Sequence, residues 1–145
     1  MLTSLILKLL ELHGVLDEHA RLITRPVGQT PVRWKVLGGA EESPRTVSQI
    51  ARRMGVDRQG VQRVADALVK EGLIRLEKNP DHRRSPKLLL TPEGQATFDK
   101  ITCRQMKWVN ELARHLPMND VVRATRTLQR FQDALAGVHP AVFKN

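Results

Sequence analysis

Aromatic residues are scarce in this sequence of 145 residues, which has three phenylalanines, two tryptophans and no tyrosine. Protein modules that bind RNA or single-stranded DNA by stacking need exposed aromatic side chains as platforms. The sequence suggests no such platform, so this class of nucleic-acid-binding module is disfavoured.

Cysteine is nearly absent as well, since Cys103 is the only one. A single thiol excludes an intramolecular disulfide and a cysteine-rich metal site. The five histidines include no pair at i, i+4 spacing. His13 and His19 could form a metal site with Glu11 and Glu18, but such coincidences are common in helices. Because the chain also lacks a Gly-rich phosphate loop and a nucleophile elbow, we predict no catalytic residue, no cofactor and no metal, and therefore not an enzyme.

Long apolar runs are missing too. No stretch approaches the ~20 consecutive apolar residues that span a bilayer. The chain also does not begin with the charged, apolar and small-residue segments of a secretory signal. We therefore expect a soluble, cytoplasmic protein with no membrane partner.

Basic charge, by contrast, is plentiful. Lysine and arginine number 24 against 15 acidic residues, which gives a formal net charge of +9. Residues 45–87 hold eleven basic and five acidic side chains, whereas residues 1–44 hold five of each. A surplus concentrated in one segment is the electrostatic footprint expected of a phosphate-binding surface.

Residues 46–72 carry two apolar patterns of helical period, one directly after the other. Each pattern recurs at i, i+3, i+4 and i+7; the first is Val47, Ile50, Ala51 and Met54, and the second is Val61, Val64, Ala65 and Leu68. Between them, Gly55 suits the left-handed residue after a helix, and Asp57 suits the N-cap of the next one. Two short helices joined in this way predict a helix-turn-helix, which places its second helix in the DNA major groove.

Polar side chains on the outward face of the second predicted helix suit base reading. Arginine can donate two hydrogen bonds to guanine and glutamine can pair with adenine, while a glycine lets the backbone approach a phosphate. We predict DNA contacts from Arg58, Gln59, Gly60, Gln62 and Arg63, with backbone contacts from Thr46 and Ser48 at the start of the first helix. An ordinary solvated face is the alternative interpretation.

A β-hairpin is predicted directly after these helices. Strands at residues 73–78 and 87–90 flank NPDHRRSP, which is rich in turn formers. His82, Arg83 and Arg84 would stand at its tip, where a basic wing could reach phosphates or a narrow minor groove. A solubilising loop is the alternative.

Taken together, these segments resemble the MarR family of winged-helix transcription regulators. The resemblance covers about residues 30–95 and is carried by TPVRWKVL around Trp34, by TVSQIARRMGVDRQGVQRVADALVKEGLIRL, and by NPDHRRS followed by LLLTPEG. It implies a mainly α fold with a small β-hairpin wing and dimerisation helices from both termini. The expected domains are an N-terminal dimerisation helix at 1–28, a winged helix-turn-helix at 29–92 and C-terminal dimerisation helices at 93–145.

Caps, prolines and glycines set the limits of the remaining predicted elements. We expect a first helix over residues 2–23 that loosens at Gly14, a second from Thr30-Pro31, a loop over Gly38–Pro44, a long helix from Thr91-Pro92 to about His115, and a last helix from Asn119-Asp120. The first, fifth and sixth helices flank the winged helix, and two long amphipathic helices outside it carry more apolar face than this small domain can cover. A symmetric partner would bury that face, and two recognition helices ~34 Å apart would then read two half-sites.

We therefore expect a homodimeric, sequence-specific regulator that binds double-stranded DNA at a pseudo-palindromic operator and acts as a repressor rather than an activator. The alternatives are a nonspecific architectural DNA-binding protein and a winged helix that binds other proteins. The resemblance further implies a small aromatic effector in a cleft bordered by His19, Trp34 and Trp108, although Trp34 by itself is interpreted as a core residue. Asp81 is expected to orient the wing by pairing with an arginine. Cys103 is interpreted as an ordinary helix residue rather than an oxidant sensor.

Overall fold

The computed structural model describes residues 1–138 and residue 141. The protein is mainly helical with a small antiparallel sheet, which confirms the predicted fold class. The chain forms two compact units, residues 1–105 and the residues from 106 onward. Within residues 1–138, none of the helices combines the length and the apolarity that crossing a bilayer requires.

Six α-helices and three strands make up the described chain. In chain order they are α1 (Leu2–Thr24), α2 (Pro31–Glu42), β1 (Arg45–Thr46), α3 (Val47–Met54), α4 (Arg58–Lys70), β2 (Ile74–Glu77), β3 (Lys87–Leu90), α5 (Pro92–Ala113) and α6 (Met118–Gly137). A short 3-10 turn over Arg25–Val27 follows α1. The first helix is continuous through Gly14.

Helix α2 is longer than predicted, because it includes most of the segment Gly38–Pro44 that we expected to be a loop. Two close approaches explain the difference. A Cβ atom at Gly39 would lie 3.0 Å from Cγ2 of Ile50, and one at Gly38 would lie 3.3 Å from the ring of Phe98. The glycines therefore permit tight packing of α2, and this packing overrides their low helix propensity.

The helix-turn-helix has the predicted caps. The side chain of Thr46 accepts a hydrogen bond from the Gln49 N–H at 3.3 Å, and the Gln49 side chain accepts one from the Thr46 N–H at 2.9 Å, forming a capping box. Gly55 takes the left-handed conformation at φ +61°. Asp57 then caps α4 by accepting from the Gly60 N–H at 2.7 Å. These local interactions fix the turn between α3 and α4.

The sheet has three strands in the order β1-β3-β2, and both pairings are antiparallel. We predicted β2 and β3 but not β1, since two residues are too few to show a strand period. The sheet contributes to the core of the first unit with Ile74 and Leu88, which are buried. The other fully buried aliphatic side chains are Val36, Leu37, Ile50, Val61, Leu68 and Ile101.

The start of α5 is fixed to the beginning of β2. Thr91 donates its hydroxyl to the Gly72 carbonyl at 2.6 Å and its N–H to the Leu73 carbonyl at 3.1 Å, and its Oγ1 also accepts from the Gly94 N–H at 3.0 Å. In the second unit, α6 begins at Met118, one residue before the predicted start, with Pro117 at the N-cap. None of the residues of α6 is buried.

Candidate nucleic-acid interface

The start of α3, the start of α4 and the wing loop (residues 78–86) enclose a polar groove of about 600 Å³. Five residues predicted to belong to the site line this groove: Thr46, Ser48, Arg58, Asp81 and His82. A second cleft of about 170 Å³ shares Thr46, Ser48 and Arg58 and adds Gln62 and Arg84. The fold thus brings residues from three separate segments onto one surface. Gln59, Arg63 and Arg83 are exposed but line neither cleft.

Two basic residues of the groove were missed by the sequence analysis. Arg52 and Lys87 both line it. Arg52 follows Ser48 by four residues, so the two share one face of α3, and this spacing could have identified it. Lys87 is the first residue of β3, directly after the wing loop. Its position in the groove depends on the path of the hairpin, which the sequence does not reveal. Among residues 1–138, no carboxylate lies within ion-pair distance of Arg52, Arg58 or Arg84, so these charges remain available to an anion.

Polar groups on α4 are already partly engaged within the helix. Gln62 donates from Nε2 to Oδ1 of Asp66 at 2.8 Å, which leaves its Oε1 as the free end of the amide. Gly60 uses its N–H in the Asp57 cap. We expected Gly60 to let a phosphate approach the backbone; its lack of a side chain still permits this, but its N–H is not an open donor.

The wing is organised by Asn79 rather than by Asp81. The side chain of Asn79 donates to the Ser85 carbonyl at 3.0 Å and accepts from the Asp81 N–H at 3.2 Å. Asp81 was expected to pair with an arginine, but no described residue forms an ion pair with it. Its carboxylate is exposed to solvent, where such pairing contributes little.

A separate apolar cavity of about 390 Å³ lies in the first unit among residues of α1, α2, α3 and α5. Trp34 lines it, together with Phe98 and Met54, which we had not predicted to border an effector cleft. His19 does not, because the cavity-facing residues of α1 are His13, Leu16, Asp17 and Ala20. The ring Nδ1 of His19 instead lies 2.9 Å from the Val15 carbonyl oxygen. Trp108, the third predicted effector residue, belongs to the second unit and is half-buried there.

Comparison with known sequences points to the same family as the motifs. A profile described as the MarR family matches residues 28–85. The uncharacterized protein Rv2011c of Mycobacterium tuberculosis is 38% identical over 139 residues, which are 96% of this chain and 97% of that protein. The chain belongs to the MarR family.

Solved structures of other proteins share the fold. AbsC, a MarR family transcriptional regulator from Streptomyces coelicolor, superposes with a TM-score of 0.82 at 19% identity, covering 94% of this chain and 95% of its own. The transcriptional repressor CouR, bound to a 23-mer DNA duplex, gives 0.76 at 25% identity over 90% and 94% of the two chains. CouR from Rhodococcus jostii RHA1, bound to p-coumaroyl-CoA, gives 0.75 at 22% identity over 85% and 87%. The resemblance noted from the motifs is thus confirmed.

Proposed function

We propose that this MarR-family protein is a cytoplasmic transcriptional repressor that binds double-stranded DNA as a homodimer at a pseudo-palindromic operator. The observation that carries the proposal is the groove between α3, α4 and the wing loop. There Arg52 and Arg58 face a common space without a carboxylate partner among residues 1–138. Unneutralised cations around a polar groove favour a polyanion as ligand.

The residues of this surface form three groups, which we assign to backbone phosphates, to bases and to the minor groove. Thr46 and Ser48 would donate to backbone phosphates and fix the register. The exposed side chains of α4 would read bases or hold nearby phosphates: Arg58, Gln59, Gln62 and Arg63. The wing side chains His82, Arg83 and Arg84 would reach the minor groove.

Exposed apolar faces support the homodimer. Helix α1 exposes Leu2, Leu7 and Leu10 by more than half of their surface. Helix α6 exposes Leu135 by more than half of its surface and Leu128 by 44%. Apolar surface on this scale marks an interaction site, and a second copy of the chain is its simplest cover.

The apolar cavity supports a small aromatic effector. Its volume, about 390 Å³, lies within the range of small-molecule sites. Trp34 and Phe98 offer ring faces, while His13, Asp17 and Lys35 offer polar contacts. We propose that an aromatic molecule bound there lowers DNA affinity, as expected of an inducible repressor.

Selection of bound duplexes from a random DNA pool at moderate salt tests the proposal. We expect an inverted repeat, and an affinity that falls by roughly 10³–10⁵ between 50 and 200 mM salt if about 6–10 phosphates are contacted. Retained DNA without a common motif would instead indicate an architectural protein, and no retained DNA would indicate a protein-binding winged helix.

A charge-matched pair of variants locates the surface. Arg58→Ala and Lys70→Ala each remove one positive charge from α4, at its two opposite ends. We expect Arg58→Ala to weaken operator binding by roughly 1–3 kcal/mol and Lys70→Ala to leave it nearly unchanged. Equal losses would place the DNA elsewhere.

A further inference from the structure

The wing loop contains a buried asparagine side chain, Asn79, for which the sequence analysis predicted no individual role. Asn79 is only 6% exposed, although it lies between the exposed residues Lys78 and Pro80. A buried amide must find partners for both its N–H and its oxygen. Asn79 does so within the loop, donating to the Ser85 carbonyl at 3.0 Å and accepting from the Asp81 N–H at 3.2 Å.

Through these two hydrogen bonds Asn79, near the start of the loop, is joined to Asp81 and to Ser85 near the end of the loop. The bond to Asp81 forms a local turn of the kind that asparagine side chains favour. The bond to Ser85 spans six residues and closes the loop where the chain re-enters β3. Inside this closure, the Ser85 N–H donates to the His82 carbonyl at 2.9 Å and makes a second turn.

The closed loop determines where the basic side chains stand. His82 lines the larger groove and Arg84 the smaller cleft, and Ser48 of α3 lines both. We propose that Asn79 is the positioning residue of the wing, holding His82, Arg83 and Arg84 in one preformed arrangement for DNA. The inference rests on the proposed DNA binding, but its effect on the loop can be measured without DNA.

Limited trypsin digestion of the free protein measures the loop directly, because Arg83 and Arg84 are themselves trypsin sites. Cleavage of a closed loop depends on how often it opens. Asn79→Ala removes two hydrogen bonds, so we expect cleavage at these arginines to become about tenfold faster relative to other sites. Asn79→Ser keeps an acceptor for the Asp81 N–H and should be intermediate. Asn110→Ala, which changes an exposed asparagine of α5, is the control and should leave cleavage unchanged.

A double-mutant cycle then tests whether Asn79 acts through the wing arginines. Alone, Asn79→Ala should weaken operator binding by about tenfold, whereas in an Arg83→Ala, Arg84→Ala background it should change affinity less than twofold. An equal loss in both backgrounds, or cleavage rates like those of the wild type, would overturn the inference. If the wild type itself bound no DNA, the proposed function would fail, and the cleavage rates alone would decide whether Asn79 closes the loop.

Discussion

Arg83 occupies the wing tip with an exposed side chain and no ion-pair partner among residues 1–138. A guanidinium in this position suits phosphates or the minor groove rather than one base. We expect Arg83→Ala to weaken binding almost equally on all sequences and to reduce the salt slope by ~1 for each subunit of the dimer. The measurement is Kd against salt on an operator and on a random duplex, with Arg25→Ala as the matched control. A loss confined to certain bases would contradict this role.

Gln62 should behave in the opposite way, because its amide faces the smaller cleft and is oriented by Asp66. We expect Gln62→Ala to change which base is preferred at one operator position, by roughly 1–3 kcal/mol. Binding to a panel of single-base operator variants measures this. If Gln62→Ala and Arg83→Ala lost affinity equally on every duplex, the assignment of base reading to α4 would be wrong.

For single residues, the sequence predicts the structural role when the hydrogen-bond partner is close in the chain. Thr46 and Asp57 cap helices through atoms three residues away, so their roles follow from local spacing. Asn79 bonds across six residues of irregular loop, and no periodicity reveals that path. The same limit explains Asp81, whose expected arginine partner would have required knowledge of the loop.

Among whole elements, α2 and the C-cap of α4 are joined by an ion pair between residues far apart in sequence. Arg33 donates to Oε1 of Glu71 at 2.9 Å and also to its Oε2, while its Nε donates to Gln29 at 2.7 Å. The hydrogen bond from Arg33 holds the pKa of Glu71 below its ordinary value, against a smaller opposing effect of burial. The side chain of Glu71 is about half exposed, so the pair contributes modestly.

The sign of this pKa shift gives a prediction for stability. A lowered pKa in the folded state means that the pair stabilises the fold above the ordinary carboxyl pKa and loses this contribution as pH falls through the folded value. Glu71→Gln should therefore cost about 0.2–1 kcal/mol at neutral pH and progressively less in acid. Denaturant unfolding of both proteins between pH 7 and pH 3 measures the difference. A gap that is constant with pH would rule out an ionic contribution.

The ends of the helices were likewise predicted where local capping sets them, and were missed where packing against distant residues sets them. The capped starts of α2, α3, α4 and α5 follow the sequence, whereas the C-terminal half of α2 does not. Gly38 and Gly39 look like loop residues until Ile50 and Phe98 are packed against them. Likewise, β1 exists only because β3 pairs with it.

At the scale of the whole molecule, the apolar surface of α1 argues for a second subunit. We expect the melting temperature to rise with protein concentration, since dissociation accompanies unfolding of a dimer. Leu10→Lys should shift the mass in sedimentation toward the monomer, because it places a charge on the exposed apolar face that Leu10 shares with Leu2 and Leu7. Ser4→Lys, at another exposed position of the same helix, is the control. A monomer at every concentration would remove the basis for the two-half-site operator.

The close approach of Gly94 to the backbone of Leu73 suggests how to make a temperature-sensitive allele. A Cβ atom at Gly94 would lie 1.9 Å from the carbonyl oxygen of Leu73, which is backbone and cannot simply rotate away. Gly94→Ala should therefore cost about 1–3 kcal/mol of folding stability while leaving every charge and exposed side chain of the groove unchanged. Such an allele should be temperature-sensitive, so a host cell carrying it would lose this regulator on mild heating and regain it on cooling. The genes whose transcripts follow that cycle would be its targets.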